Sequence, residues 1–129
     1  MARADLAMAA GGAEKEIVYA TGGWSNQMLC NVEVYSCATD IWGPLPALLE
    51  PRAAHAACVY SENGRKEWLY VFCGVSRDKN LSSIERLGLE RGNSWREVKV
   101  DCDLNFWQPR SHLQAVQVND KEMVVFGSH

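Results

Sequence analysis

The sequence lacks the local signatures by which catalytic and nucleotide-binding sites are usually recognised. It has no G-x-S-x-G turn, no P-loop and no G-x-G-x-x-G segment. It also has no C-x-x-C pair, and its three histidines, His55, His112 and His129, do not stand with cysteines at zinc-site spacing. We therefore expect a protein that is not an enzyme, with no catalytic residue, no cofactor and no metal site.

Positive charge and long hydrophobic runs are also scarce. The net charge is −3 at pH 7, and Lys and Arg are scattered singly apart from the pair Arg65-Lys66. Such a chain has no basic patch for nucleic acid. No apolar run approaches the length of a membrane-spanning helix. The expected partners are proteins, with no nucleic acid and no membrane.

The cysteines are odd in number and do not form a disulfide framework. They are Cys30, Cys37, Cys58, Cys73 and Cys102. Three of them, Cys37, Cys58 and Cys73, stand among strand-like residues, where a free thiol behaves as a small buried hydrophobe. This pattern predicts a reducing, cytoplasmic location.

The chain is rich in short strand-like segments separated by turn residues. Residues 16–21 (EIVYAT) form a run of β-formers that ends at Gly22-Gly23, and similar segments recur every eight to twelve residues. The alanine-rich segment 48–60 is predicted to be a strand, despite its helix propensity, because Pro51 and a turn bound it. Residues 1–14 lack the pattern and are predicted to be a flexible leader.

These segments repeat with a period near fifty residues. Tyr19 and Gly23 recur as Tyr70 and Gly74, Val32-Glu33 as Ile84-Glu85, Trp42 as Trp95, Pro51-Arg52 as Pro109-Arg110, and Gly74 again as Gly127. A period of this length that contains four short strands is the sequence sign of a β-propeller blade. A single blade cannot bury its own faces and must stack on neighbours.

The repeat resembles the kelch motif. The likeness is carried by Gly22-Gly23, by Tyr35 and Trp42 with six residues between them, and by Pro51-Arg52 before the next copy. Residues 32–56 are similar to the repeats of kelch-like (BTB-kelch) substrate adaptors in particular. The resemblance implies an all-β fold of antiparallel four-stranded blades, about two of which form an incomplete propeller. Its structural signature residues are Gly22, Gly23, Tyr35, Trp42, Gly74, Trp95 and Gly127.

Lettering the strands A to D from the propeller axis outward, as in kelch blades, gives an incomplete set. The partial propeller spans 15–129, with strands B-C-D in 16–46, a full blade A-D in 53–100 and strands A-B in 111–127. Copies joined head to tail would place one B strand after another, so closure by copies of this chain is not expected. We expect a fragment of a larger propeller, in which missing blades or other chains cover the exposed faces.

The resemblance also implies where a partner binds. Kelch adaptors grip peptide segments with their B–C and D–A loops, which correspond here to 24–30, 75–81, 43–52 and 101–110. The candidate partner-binding residues in these loops are Trp24, Ser25, Asn26, Arg52, Arg77, Trp107 and Arg110. For Arg52 and Arg110, which share a repeat position, a structural hydrogen-bonding role near the axis is an equal alternative.

The sequence is compatible with three functions. The first is a protein-interaction module acting as, or as part of, a substrate adaptor of a cullin ubiquitin ligase. The second is a kelch scaffold that binds actin and the cytoskeleton. The third is an enzyme on a galactose-oxidase-like propeller, but the tyrosine, cysteine and histidine ligands of such copper enzymes have no matching constellation in this sequence.

Overall fold

A computed structural model describes residues 3–12, 16–64, 66–77, 79–90, 93–99 and 111–127. Within these ranges the secondary structure is β-strand and turn, without a helix. It follows that the described residues include no helix suited to crossing a membrane. The strands pair antiparallel in two four-stranded sheets and two hairpins, which confirms the predicted all-β architecture of kelch-type blades.

The first sheet is complete and begins earlier than predicted. Its strands pair in chain order as β1 (Ala7–Gly11), β2 (Ile17–Thr21), β3 (Val32–Ser36) and β4 (Ile41–Leu45). The prediction of a flexible leader over residues 1–14 is therefore wrong for β1, which supplies the A strand absent from the predicted B-C-D set. Alanine and methionine carry little strand propensity, so the packing of β1 rather than its composition decides its structure.

The second sheet lies within residues 53–100. It consists of β5 (Ala56–Glu62), β6 (Lys66–Phe72), β9 (Ile84–Gly88) and β10 (Arg96–Val98), again paired in chain order. The connection from β6 to β9, predicted to be a plain loop, contains a small hairpin of β7 (Val75–Ser76) and β8 (Lys79–Asn80).

The third unit is a hairpin of β11 (Leu113–Asn119) and β12 (Glu122–Gly127). Its register corrects one assignment in the repeat. Leu113 pairs with Gly127, and Ala56 pairs with Phe72, which puts His55 opposite Cys73. Leu113 stands three residues after Arg110, just as His55 stands three residues after Arg52, so these two positions are equivalent. Gly127, which pairs with Leu113, therefore corresponds to Cys73 and Gly22 and not to Gly74.

The core fills the two junctions between neighbouring units. One apolar cluster joins the first and second sheets and includes Tyr19, Val59, Leu69 and Trp95. A second cluster joins the second sheet to the hairpin. Strand β5 contacts both β1 and β11, so the innermost strands of the three units lie side by side. The small buried side chains at the start of β5 fit this crowded place, as the alanine-rich sequence predicts.

The repeated tryptophan fills the wedge between sheets. Trp95 is buried, and its indole Nε1 donates a hydrogen bond to the carbonyl oxygen of Pro46 in the preceding sheet, at 2.7 Å. Its counterpart Trp42 stacks near Tyr35 but is 48% exposed, because the described chain has no sheet before the first. The same residue type is thus core in one repeat and surface in the other.

Candidate functional site

One end of the molecule is built from the connections that the resemblance assigns to partner binding. The B–C loops (22–31 and 73–83) and the D–A connection (46–55) emerge together, and we call this surface the loop face. Backbone hydrogen bonds join them: Gly23 N to Arg52 O at 2.8 Å, and Arg52 N to Leu29 O at 3.1 Å. The loop face is therefore a continuous, hydrogen-bonded surface on a rigid scaffold.

Arg52 lies beneath this surface, not on it. Its side chain is completely buried and donates hydrogen bonds to the carbonyl oxygens of Cys73 and Ser83, each at 3.0 Å, and to Glu85 Oε2 at 2.7 Å. A guanidinium used in this way cannot reach a partner. The prediction that Arg52 contacts a partner is therefore corrected in favour of the structural alternative.

Glu85 completes this arrangement from the second sheet. Its carboxylate also accepts hydrogen bonds from the backbone N–H groups of Leu49, at 2.7 Å, and Glu50, at 3.1 Å. One buried carboxylate thereby fixes both the arginine and the backbone of the D–A connection. A buried charge that is paired and hydrogen-bonded in this way avoids the penalty of an isolated one.

Arg3 repeats the same arrangement in the first sheet. Its Nη1 donates to the carbonyl oxygens of Gly22, at 2.9 Å, and Asn31, at 3.2 Å, and its Nη2 pairs with Glu33 Oε1 at 3.0 Å. The sequence prediction missed Arg3, although a signal was present. Both Arg3 and Arg52 are followed by alanine, with another alanine four residues after the arginine, and their partners Glu33 and Glu85 are equivalent positions of the repeat.

His55 is a buried part of the same framework. Its Nε2 shares a hydrogen bond with Thr21 Oγ1 at 2.8 Å, and its Nδ1 has no hydrogen-bond partner among the described residues. Burial, and secondarily the nearby cations of Arg52 and Arg3, lower the pKa of His55 to about 3. The imidazole is thus neutral near pH 7 and contributes packing and one hydrogen bond.

His55 and His112 do not occupy the same repeat position, although each follows a Pro-Arg pair in the sequence. Ala54 and His112 both adopt a positive φ, of 53° and 57°, as does Asp5 at 53°. His112 therefore corresponds to Ala54, while the counterparts of His55 are Leu6 and Leu113.

The loop face contains a cleft of about 500 Å³ between the D–A connection and the second B–C loop. The buried ion pair of Arg52 and Glu85 lies at its base. Leu49, 61% exposed, and the exposed charges of Lys79 and Glu97 stand at its sides. Its lining comprises Leu49, Glu50, Arg52, Lys79, Asn80, Leu81, Ser82, Ser83, Glu85 and Glu97. Leu49 and the flanking acids were not among the sequence candidates, although 43–52 and 75–81 were the predicted loops.

The remaining candidates are on the loop face or outside the described residues. Trp24 is 49% exposed, and its backbone bridges to Ala4 and Met28. Ser25 and Asn26 form the turn that follows, with Asn26 at a φ of 65°. Arg77 is exposed at the tip of the β7–β8 hairpin, with a φ of 50°. Trp107 and Arg110, together with the predicted loop 101–110, lie outside the described residues.

Two glycines let the loop face pack tightly. A Cβ on Gly22 would lie 2.4 Å from the carbonyl oxygen of Arg52, and one on Gly74 would lie 2.6 Å from that of Ala53. Both glycines also have a positive φ, which an L side chain rarely adopts. These signature residues therefore shape the surface by letting its loops approach each other closely.

Cysteine and acid groups give no sign of a metal centre in the part of the chain that the structure describes. No three His, Cys, Asp or Glu side chains converge there. Cys30 and Cys37 are free thiols. Cys58 and Cys73 are buried as expected, whereas Cys37 is exposed in the turn between β3 and β4.

The fold and this loop arrangement define a class: repeated four-stranded antiparallel sheets of the propeller-blade type, stacked through a tryptophan wedge and an arginine–glutamate pair. A comparison with family models matches residues 8–49 to the Kelch motif. The matched span contains the strands of the first sheet, apart from Ala7 at the start of β1, and part of the D–A connection. Residues 8–49 therefore carry a Kelch motif, and kelch repeats in general mediate protein–protein binding. A search of curated proteins finds no match.

Proposed function

We propose that this chain is a non-enzymatic interaction module that binds a peptide segment of a partner protein on the loop face. The observation that carries the proposal is the cleft of about 500 Å³ between two loops that the kelch pattern assigns to binding. Its base is held by the completely buried Arg52 and by Glu85, which is 2% exposed. Loops positioned by a rigid scaffold are common sites of recognition.

The exposed side chains of the loop face suit a peptide ligand. Leu49 offers an apolar contact beside the cleft, and Trp24 offers a large aromatic surface on the adjoining loop. Lys79 and Glu97 supply charges of both signs at the cleft. Interfaces of this kind derive most of their affinity from a few aromatic and apolar anchors, with charged residues at the rim.

We further propose that this chain is part of the substrate adaptor of a cullin ubiquitin ligase. The bound partner would then be a substrate of that ligase. Its support is the similarity of residues 32–56 to kelch-like adaptor repeats. We place this activity in the cytoplasm, since Cys30 and Cys37 are free thiols. An actin-binding scaffold is the alternative.

A displayed peptide library selected on the purified chain tests the binding site. We expect Leu49→Asp and Trp24→Ala to weaken selected peptides by about tenfold or more, the loss typical of anchor residues. Ile41→Asp is the matched control, because Ile41 is equally exposed, at 64%, but lies at the opposite end of the first sheet. Peptides that lose affinity with Ile41→Asp and keep it with the loop-face variants would overturn the proposal.

Partner identity is tested separately. For the adaptor, the proteins that contain the selected peptide sequence should be ubiquitinated less when the chain is depleted from cells. For the scaffold, the chain should pellet with filamentous actin, and Leu49→Asp should reduce the pelleted fraction. Pelleting without an effect on ubiquitination would replace the adaptor by the cytoskeletal alternative.

A further inference from the structure

Three cations gather on one side of the second sheet without an acid to pair with them. The guanidinium carbon of Arg86 lies 4.4 Å from the centre of the Trp68 ring, and Lys66 Nζ lies 4.5 Å from it. Arg96 stands directly opposite Arg86 in the register of β9 and β10. The two ion pairs among the described residues include none of these three cations. Because like charges directly opposite each other destabilise a sheet, this arrangement is suited to receive an anion.

Neither the neighbouring acids nor the repeat accounts for the two arginines. Glu90 and Glu97, which are close to them in sequence, line the two larger clefts and not the cavity that the arginines line. In the first sheet, the positions of the arginines are held by Val34 and Gly43, which also stand directly opposite each other. The blade fold therefore does not require an arginine at either position.

The arginines share a cavity with an exposed serine. This cavity has a volume of about 240 Å³ and is lined by Trp68, Arg86, Gly88, Asn93, Ser94 and Arg96. Trp95, between the serine and the second arginine, is buried on the other side, in the junction with the first sheet. Asn93 Nδ2 donates hydrogen bonds to the carbonyl oxygens of Gly88 and Glu90, each at 3.1 Å, which fixes the chain just before Ser94.

We propose that Ser94 is a phosphorylation site whose phosphate is held in this cavity by Arg86 and Arg96. A protein kinase transfers the γ-phosphoryl group of ATP to Ser94 Oγ: the new O–P bond forms, the bond to the leaving ADP breaks, and the hydroxyl proton passes to an aspartate of the kinase. Ser94 is exposed in the connection between β9 and β10, and Arg91 precedes it by three residues in the sequence. Basic residues around a serine complement an acidic peptide groove in a kinase.

The charge and the donors of the cavity match a phosphate ester. A phosphoserine carries a charge of about −1.5 to −2 at pH 7 and three acceptor oxygens, and a cluster of arginines is its usual partner. Arg86 is already held in place, since Nη1 donates to the hydroxyl of Tyr70 at 3.2 Å and the guanidinium lies over Trp68. Its remaining N–H groups can donate to phosphate oxygens, as can those of Arg96.

The bound phosphate is expected to fasten β10 to β9. Strand β10 has only three residues, and Trp95 directly before it closes the junction with the first sheet through its hydrogen bond to Pro46. Phosphorylation of Ser94 therefore stabilises the second sheet and this junction. The site lies at the end of the sheet away from the loop face, so the inference does not depend on the proposed peptide binding.

Phosphoserine incorporated at position 94 during translation tests whether the arginines hold the phosphate. We expect a melting temperature about 3 °C or more above that of the unmodified chain, because new charge-assisted hydrogen bonds form. The same modification should give no gain in the double variant Arg86→Gln and Arg96→Gln, compared with that variant unmodified. Phosphoserine in place of Thr39 is the matched control, since Thr39 is exposed in the corresponding turn of the first sheet, next to Asp40, and should give no gain.

Phosphorus NMR gives a second readout that does not depend on stability. The second pKa of a free phosphoserine is about 6, and the arginines should lower it at position 94 by about half a unit or more. The value should return to about 6 in the double arginine variant. An ordinary pKa at position 94, or a gain in melting temperature that survives the loss of both arginines, would overturn the proposal.

Incubation of the purified chain with ATP and a eukaryotic cell lysate tests the modification itself. Mass spectrometry is expected to find phosphate on Ser94 and to find none at this position in Ser94→Ala. Absence of phosphate from Ser94 would overturn its assignment as a modification site. Inorganic phosphate added to the unmodified chain tests the other source of the anion: a rise in melting temperature equal to that from phosphoserine would show that the cavity takes a free anion and would also overturn the proposal.

Discussion

Two arginines, Arg3 and Arg52, occupy the same place in successive sheets, and the Nη atoms of each guanidinium make internal hydrogen bonds. Each donates to backbone carbonyls of the B–C loop and pairs with a glutamate on the third strand of its sheet. The pairs differ in burial: Glu85 is 2% exposed, and Glu33 is 38% exposed. The inner pair therefore has the larger consequence for stability.

Removal of the Arg52 guanidinium is predicted to destabilise the chain strongly. Arg52→Met leaves the carboxylate of Glu85 buried without its cation, which typically costs about 3–5 kcal/mol. Urea unfolding measures the loss. Arg3→Met is the matched control and should cost clearly less, and adding Glu85→Gln to Arg52→Met should recover part of the stability. A loss with Arg52→Met no larger than with Arg3→Met would contradict this role.

The buried imidazole of His55 predicts a dependence of stability on pH. Its pKa is about 3 in the folded chain, against an ordinary value of 6.5 when unfolded. Between these values the unfolded chain binds a proton that the folded chain does not, so stability falls as the pH falls, by at most about 1.4 kcal/mol per pH unit. Above the unfolded value the contribution is fully present.

Replacement of His55 by leucine isolates this contribution. Leucine stands at the equivalent positions Leu6 and Leu113, so the site accepts the side chain. Urea unfolding at about pH 7 and about pH 5 should show a smaller loss on acidification for His55→Leu than for the wild type. Equal losses in the two proteins would show that His55 is not the group responsible.

At the scale of elements, β1 decides whether the first sheet is complete. Ala7 is 7% exposed in the core cluster, and the bare Cα of Gly11 lies against Tyr19 and Val59. Ala7→Asp should therefore destabilise the chain by about 2 kcal/mol or more, because it buries a charge without a partner. Thermal unfolding measures the effect, and Ala38→Asp, in the exposed turn of the same sheet, is the control. Equal melting temperatures for the two variants would mean that residues 7–11 do not pack as a strand.

Much of this element arrangement could be predicted from the sequence because the kelch signature is local. Gly22-Gly23, the Tyr35–Trp42 spacing and the alternation in 32–36 follow from the geometry of strands and turns. The register puts Leu87 at the position that Tyr35 has in the first sheet, since Arg86 pairs with Arg96 and so places Trp95 opposite Leu87.

The parts that could not be predicted depend on contacts distant in sequence. The residues of β1 are mostly alanine and methionine, and they form a strand because they pair with β2 and pack beside β5. The role of Arg52 also depends on distant contacts. The motif predicts an arginine at this position, but only its burial between two loops shows that the side chain is structural. The cleft lies between loops that carry Leu49 and Lys79, which are distant in sequence. No local sequence pattern predicts it.

At the scale of the whole molecule, substitution of the equivalent residues Trp42 and Trp95 shows whether a neighbouring sheet packs on each of them. Trp95→Ala removes a buried ring and its hydrogen bond to Pro46 and should cost about 3–5 kcal/mol. Trp42→Ala removes a half-exposed ring and should cost clearly less. Urea unfolding of both variants gives the comparison. Similar losses would mean that Trp42 is covered, by a neighbouring sheet or by another chain.

An NMR titration with a library-selected peptide tests most directly whether a partner binds on the loop face. Backbone amide shifts are expected to concentrate in the loops 22–31, 46–55 and 73–83, around Trp24, Leu49 and Lys79. Shifts that concentrate instead at the turns 37–40 and 62–64, at the other end of the sheets, would contradict it.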